Sequence, residues 1–256
     1  MNNPITKARW VFETKGITGI PAESLQDIAD SEDIRYLYRI LPNDPKLGGQ
    51  LLYKGKQKGI IVNTLIDHKG RQNFTFAHEL GHYFLEHPPN YALDGQLGFW
   101  CTTDDIGDGK KPREVEANRF AVELLMPEDR FRLDMIGAPL DFGLINGLAN
   151  RYMVSKYACS NRILGLTHSP CVIIRTQGNK IVGSASSPAA RNYSRRLDIV
   201  PENTAAHLAI ANMHGDDDFV SCDAGNWLMR TIPGDKVHEC THVHRDSGTA
   251  MIILKW

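Results

Sequence analysis

Residues 74–87 read FTFAHELGHYFLEH. His78 and His82 stand four apart, enclose Glu79 and are flanked by apolar residues. The pattern predicts a helix from about Arg71 to Glu86, ended by His87-Pro-Pro because a residue before proline avoids the helical region. Residues i and i+4 of a helix lie on one face, so both imidazoles can reach one metal ion, and zinc accepts histidine nitrogen. Glu79 lies about 100° round the helix from His78. There it misses the ion but can reach a water beside it, the place a general base takes in metal-assisted hydrolysis. HExxH alone also arises by chance. Here Phe74, Phe76, Ala77, Leu80, Tyr83, Phe84 and Leu85 argue for a packed helix. Gly81 costs roughly 1 kcal/mol in a helix interior relative to Ala, which makes sense where something packs closely against it.

A catalytic zinc needs a third protein ligand and one open position. A third histidine six residues after His82 would fall at position 88, which is Pro88. His87, one residue away, is expected as a surface cap of the helix. The other solution is a carboxylate from a later helix, and REVEANRFAVELLMP (113–127) offers Glu114, Glu116 and Glu123. Glu114, Ala117, Asn118 and Ala121 form one stripe, with the two alanines small enough for close helix packing. Glu114 is the preferred third ligand and Asn118 a hydrogen-bond partner for a ligand from behind. Glu116 faces nearly the opposite way and stays as the alternative. Tyr83 adjoins the site in sequence, but neighbouring helix positions diverge, so no role is assigned to it.

Outward from this pair of helices the chain is ordinary in composition. Its 256 residues are 42% hydrophobic and 23% charged, with a net charge of −1. That is the profile of a soluble globular protein, with no overall field towards nucleic acid or an anionic membrane. The five cysteines, at 101, 159, 171, 222 and 240, form no CxxC pair and fit a reducing compartment. No leader pattern and no apolar stretch of membrane-spanning length is read, so a cytoplasmic location is expected. A short helix should open at Pro21, burying Leu25 and Ile28. RYLYRIL (35–41), GGQLLYKG (48–55) and GIIVNTLI (59–66) read as a small antiparallel meander, and 88–112 as a long loop. Helical pieces follow near 128–136 and 143–166. From Cys171, CVIIRTQ, KIVGSAS, DFVSC, WLMRTI, KVHECTHVH and TAMIILKW read as strands around a helix near 203–213.

FAHELGHYFLEH followed by EVEANRFAVELLMP resembles the ImmA/IrrE family of metallopeptidases. NGLANRYMVSKYACSNRI is similar to that family's L-A-x-x-F-x-V-S segment. The resemblance covers about residues 20–166, and nothing beyond Cys171 carries it. It implies an α+β chain with a zincin-like metallopeptidase domain over 1–168, including the helical segment 143–166. The strand-like runs from Cys171, outside the resemblance, set off a β-rich C-terminal domain over 169–256, with a sensor and a substrate-binding module as candidate roles. The resemblance further implies a Zn2+ peptidase of bacteria, phages or mobile elements that cleaves a helix-turn-helix transcriptional repressor and relieves repression. Zinc ligands carry over to His78, His82 and a glutamate of the second block, and the base to Glu79; helix geometry prefers Glu114 to Glu116.

The rival reading is a non-catalytic protein that keeps the fold and binds a repressor or toxin stoichiometrically. Glu79 argues against it, since binding needs no general base. Arg151, Lys156 and Arg162 form one basic helical side, but only one helix fits DNA recognition and direct DNA binding is not expected. His238, Cys240, His242 and His244 alternate along KVHECTHVH and should share one strand face, too far apart for all four to hold one ion. The acidic stretches at 103–105 and 216–218 are read as solvated loops.

Overall fold

A computed structural model describes residues 3–42, 46–65, 67–91, 97–102, 111–193 and 195–256. The chain is α+β and divides into two compact units. One comprises Met1–Ile136 with Gly147–Ala158, the other Gly137–Asn146 with Cys159–Trp256. The acidic stretch at 103–105 and the parts of the expected loop at 92–96 and 103–110 lie outside the described residues.

The first unit begins with a helix absent from the expectation, α1 (Pro4–Thr14). Asn3 caps it by accepting the Ile5 and Thr6 amides, and Pro4 supplies a preset first turn. Ala8 and Val11 are its buried side, and Arg9 reaches across to the buried Glu123 at 2.7 Å. A 3-10 turn (Pro21–Ser24) leads into α2 (Leu25–Asp30), which buries Leu25 and Ile28 as the periodicity requires.

The sheet follows the order β1-β3-β2-β5-β4, from β1 (Ile34–Arg39), β2 (Leu47–Lys54), β3 (Gln57–Asn63), β4 (Asn90–Tyr91) and β5 (Leu97–Thr102). It departs from the expected antiparallel meander at one edge, where β1 pairs with β3 in parallel. Alternation tells which side of a strand is buried, not which neighbour it takes. β2 and β3 form the hairpin at Lys54-Gly55-Lys56, and β1 takes the free side of β3. A second departure is β5, which pairs antiparallel with β2 inside the stretch expected to be wholly loop.

Against this sheet lies α3 (Lys69–Phe84), the helix of the opening motif. Gly49 of β2 is what lets it settle. A Cβ there would meet Thr75 Cγ2 at 2.4 Å and Glu79 Oε1 at 3.4 Å. On its other side α3 packs on α4 (Pro112–Leu125), which buries Ala117, Phe120, Ala121, Leu124 and Leu125. A Cβ at Gly81 would stand 3.1 Å from the Ala117 carbonyl oxygen, so the glycine sets how closely the helices approach. Next is α5 (Glu128–Met135). The expected helical segment 143–166 is broken into α6 (Phe142–Arg151) and α7 (Lys156–Leu166), with Met153 between them at φ 52°. Arg151 pairs with Asp134 at 3.1 Å.

The second unit holds an antiparallel sheet of order β7-β6-β10-β9-β8. Its strands are β6 (Cys171–Gln177), β7 (Lys180–Ser186), β8 (Asp216–Asp223), β9 (Lys236–His244) and β10 (Thr249–Lys255). α8 (Ala205–Ala211) and Trp227 join Val172, Ile174, Val237, Ile252 and Leu254 in a core of its own. WLMRTI is not a strand; Trp227 and Leu228 leave a 3-10 turn and are drawn into that core. The acidic residues 216–218 begin β8 rather than a loop. Along β9, Val237, Glu239, Cys240 and Thr241 are buried, while the His242 ring lies tilted against Phe142 with centroids 5.3 Å apart. No metal-sized group forms on β9 among the described residues.

Candidate metal centre

Two helices build the site. His78 and His82, one turn apart on α3, are fully buried, and Glu114 comes from the first turn of α4. The His78 and His82 Nε2 atoms are 3.0 Å apart. Glu114 Oε2 lies 3.1 Å from the first and 3.5 Å from the second. Four ligands placed tetrahedrally at zinc's usual bond lengths stand about 3.3 Å from one another, so this triangle has the size such an ion requires. Among the described residues it is the one group of three potential metal ligands. The chemistry also fits. Burial, partly opposed by Glu114, lowers the His82 pKa to about 4, leaving its ring neutral at neutral pH. Burial works against ionising Glu114, but the His78 and His82 rings against it outweigh burial and hold the carboxyl well below its usual range. Neutral imidazole and ionised carboxylate are the forms that bind metal.

Asn118, one turn along α4 from Glu114, sits behind His78, with its Oδ1 2.8 Å from His78 Nδ1. With His78 protonated on Nδ1, that proton goes to the amide oxygen and the Nε2 lone pair is left facing the triangle. Glu116 is not in the triangle. It points to His87, with Oε2 3.0 Å from His87 Nε2. His87 itself departs from the expected surface cap. It is buried, and its Nδ1 lies 2.9 Å from His82 Nδ1. The turn after α3 brings it there. Glu86 adopts the left-handed conformation at φ 56°, and the His87 amide donates back to the His82 carbonyl at 3.1 Å. The clue in the sequence was the Pro-Pro pair directly after a glutamate–histidine ending, but the turn's handedness was not readable from it.

Glu79 faces the sheet side of the site. It is fully buried, and neither carboxylate oxygen makes a hydrogen bond. Burial, then the charge of Glu114, pushes its pKa well above the usual value. Tyr83 points elsewhere, donating from its hydroxyl to Glu32 at 2.9 Å. Glu123 is taken up by Arg9.

A helix carrying a His-Glu-x-x-His sequence, packed between a small sheet and a glutamate-bearing helix, defines a zincin-like domain. The profile of the Peptidase_M78 family, the IrrE N-terminal-like domain, matches residues 30–164, and the chain belongs to this family. A comparison with curated protein sequences gives no match. Among solved structures, a Mycobacterium tuberculosis transcriptional regulator is similar, with a TM-score of 0.59 and 17% identity over 100% of this chain and 76% of that one. At that identity the likeness is one of fold. Among the described residues no helix is long and apolar enough to cross a membrane.

Proposed function

We propose that this protein is a zinc-dependent endopeptidase that cleaves a partner protein, a helix-turn-helix transcriptional repressor, in the cytoplasm and so relieves repression. In this reading His78, His82 and Glu114 hold the zinc, Asn118 orients His78, and Glu79 is the general base. The observation that carries it is Glu79, a buried carboxylate without a hydrogen bond beside a His-His-Glu group. Leaving a carboxylate in that state is costly by several kcal/mol. A protein that only holds its partner gains nothing from it.

Bound zinc would polarise the scissile carbonyl and lower the pKa of water. Glu79 accepts a proton from the attacking water and later returns it to the leaving amine nitrogen. Burial raises its pKa well above the usual carboxyl value, which strengthens it as the proton acceptor. Asn118 keeps the His78 Nδ1 proton away from the ligand side. Membership of the IrrE N-terminal-like family, and a fold shared with a protein named a transcriptional regulator, support the regulatory setting.

The test is to incubate the zinc-loaded protein with helix-turn-helix proteins encoded by neighbouring genes. Cleavage by substoichiometric amounts, abolished by chelation, supports the enzyme. A stable complex with the repressor left intact would favour the stoichiometric binding protein instead.

A further inference from the structure

His82 and His78 are the same residue type on one helix face, yet they are held from behind by different means. Asn118 serves His78, while His82 meets a second histidine whose far nitrogen ends on a carboxylate. On the proposed reading of His78, His82 and Glu114 as metal ligands, we infer that His87, backed by Glu116, is a positioning residue that fixes the ring proton and orientation of His82.

The order of donors follows from the end of the chain of contacts. The Glu116 carboxylate can only accept, so His87 Nε2 carries a proton. With one proton on the ring, His87 Nδ1 is then an acceptor. The 2.9 Å contact between the two Nδ1 atoms needs one proton, and it must come from His82. His82 Nε2 is left with its lone pair towards His78 Nε2 and Glu114 Oε2. The backbone amide of His87 also donates to the His82 carbonyl, which holds His87 back against the last turn of α3. That return depends on Glu86 at φ 56°, a left-handed conformation that non-glycine residues rarely adopt. His87 is buried, whereas the Glu116 side chain is 45% exposed. The histidine should therefore matter more than the glutamate.

The experiment measures zinc affinity by chelator competition in wild type, His87→Ala, His87→Asn and Glu116→Ala. Thermal unfolding and ring-nitrogen NMR of the metal-free proteins accompany it. Asparagine is the rescue variant, since its Oδ1 stands where His87 Nδ1 stood and accepts the same proton. The expected result is roughly 10–100-fold weaker zinc binding in His87→Ala, a smaller loss in Glu116→Ala and most of the affinity regained in His87→Asn. In metal-free wild type, His82 should be protonated on Nδ1. Wild-type affinity in His87→Ala, equal loss in His87→Asn and His87→Ala, or a proton on His82 Nε2 would each overturn the inference. Failure of wild type to bind zinc would remove the metal reading. The proton position on His82 would then still decide for or against the His87 contact.

Discussion

Glu79 is buried with both oxygens unbonded, whereas His78 beside it meets Asn118 and Glu114. Replacing Glu79 with glutamine keeps the shape and removes the proposed base. Glu79→Gln should leave zinc content unchanged and slow cleavage by roughly 10²–10⁴-fold. Parallel metal analysis and cleavage assays would check this, and undiminished proteolysis by the zinc-loaded variant would refute the assigned role. The two glutamates of α4 separate in the same way. Glu114 Oε2 stands within 3.5 Å of both histidines, whereas Glu116 meets only His87 of the three. Glu114→Ala should lose zinc on dialysis, and Glu116→Ala should still load fully at saturating zinc. The reverse result in a metal assay would exchange their roles. At this scale the sequence is informative wherever helix phase decides. Four residues bring His78 over His82, and two residues turn Glu116 away from Glu114. It is uninformative for His87, whose position depends on a left-handed residue that no periodicity announces.

The elements that carry these residues were readable to unequal degrees. α3 and α4 have strong apolar faces and clear proline stops, so their limits could be drawn closely. α1 was missed because its buried side is thin, Ala8 and Val11 among polar residues. β5 was missed because it is a short run in Gly- and Asp-rich surroundings, held by pairing with β2 that only the folded sheet supplies. Close approach between elements is equally invisible in sequence. Gly49 has the clearest consequence, since a methyl there would overlap Thr75 Cγ2 on α3. Gly49→Ala should destabilise the first unit by about 1–3 kcal/mol, seen as a lower urea midpoint, and an unchanged midpoint would show that α3 moves freely on the sheet. The far end of α3 is tied by Glu32. Burial raises its pKa, but hydrogen bonds from Lys15 and Tyr83 outweigh this and keep it below the usual value. A depressed carboxylate stabilises the fold above its unfolded pKa, and the contribution is lost as pH falls through the folded pKa. Glu32→Gln should therefore cost about 1 kcal/mol at neutral pH, and the difference should vanish in acid. A difference that grew in acid would mean that the charge does not stabilise the fold.

For the whole molecule, the division of labour is plain in the residues. The proposed ligand set lies wholly within Met1–Ile136, while Gly137–Asn146 with Cys159–Trp256 has its own sheet and its own core. Composition showed the change of character near Cys171, but it could not show which β-like runs pair or that WLMRTI would give a core tryptophan instead of a strand. Trp227 offers a way to perturb the second unit alone. Its indole N–H donates to Glu239 Oε2 at 2.7 Å, and the Ala205 amide donates to the other oxygen. Burial nevertheless wins, and the Glu239 pKa is raised. A raised carboxylate is fully compatible with the fold below its unfolded pKa and costs stability as pH rises through its folded pKa. Trp227→Phe removes a donor that favours the charged form, so the folded pKa should rise further and the penalty should increase with pH. The expected loss is about 2–3 kcal/mol at neutral pH, smaller in mild acid, read by urea unfolding followed through circular dichroism. Zinc content should be unaffected, because no proposed ligand belongs to this unit. A loss independent of pH would mean that the indole fills space without serving Glu239, and a parallel loss of zinc would show that the second unit supports the metal centre.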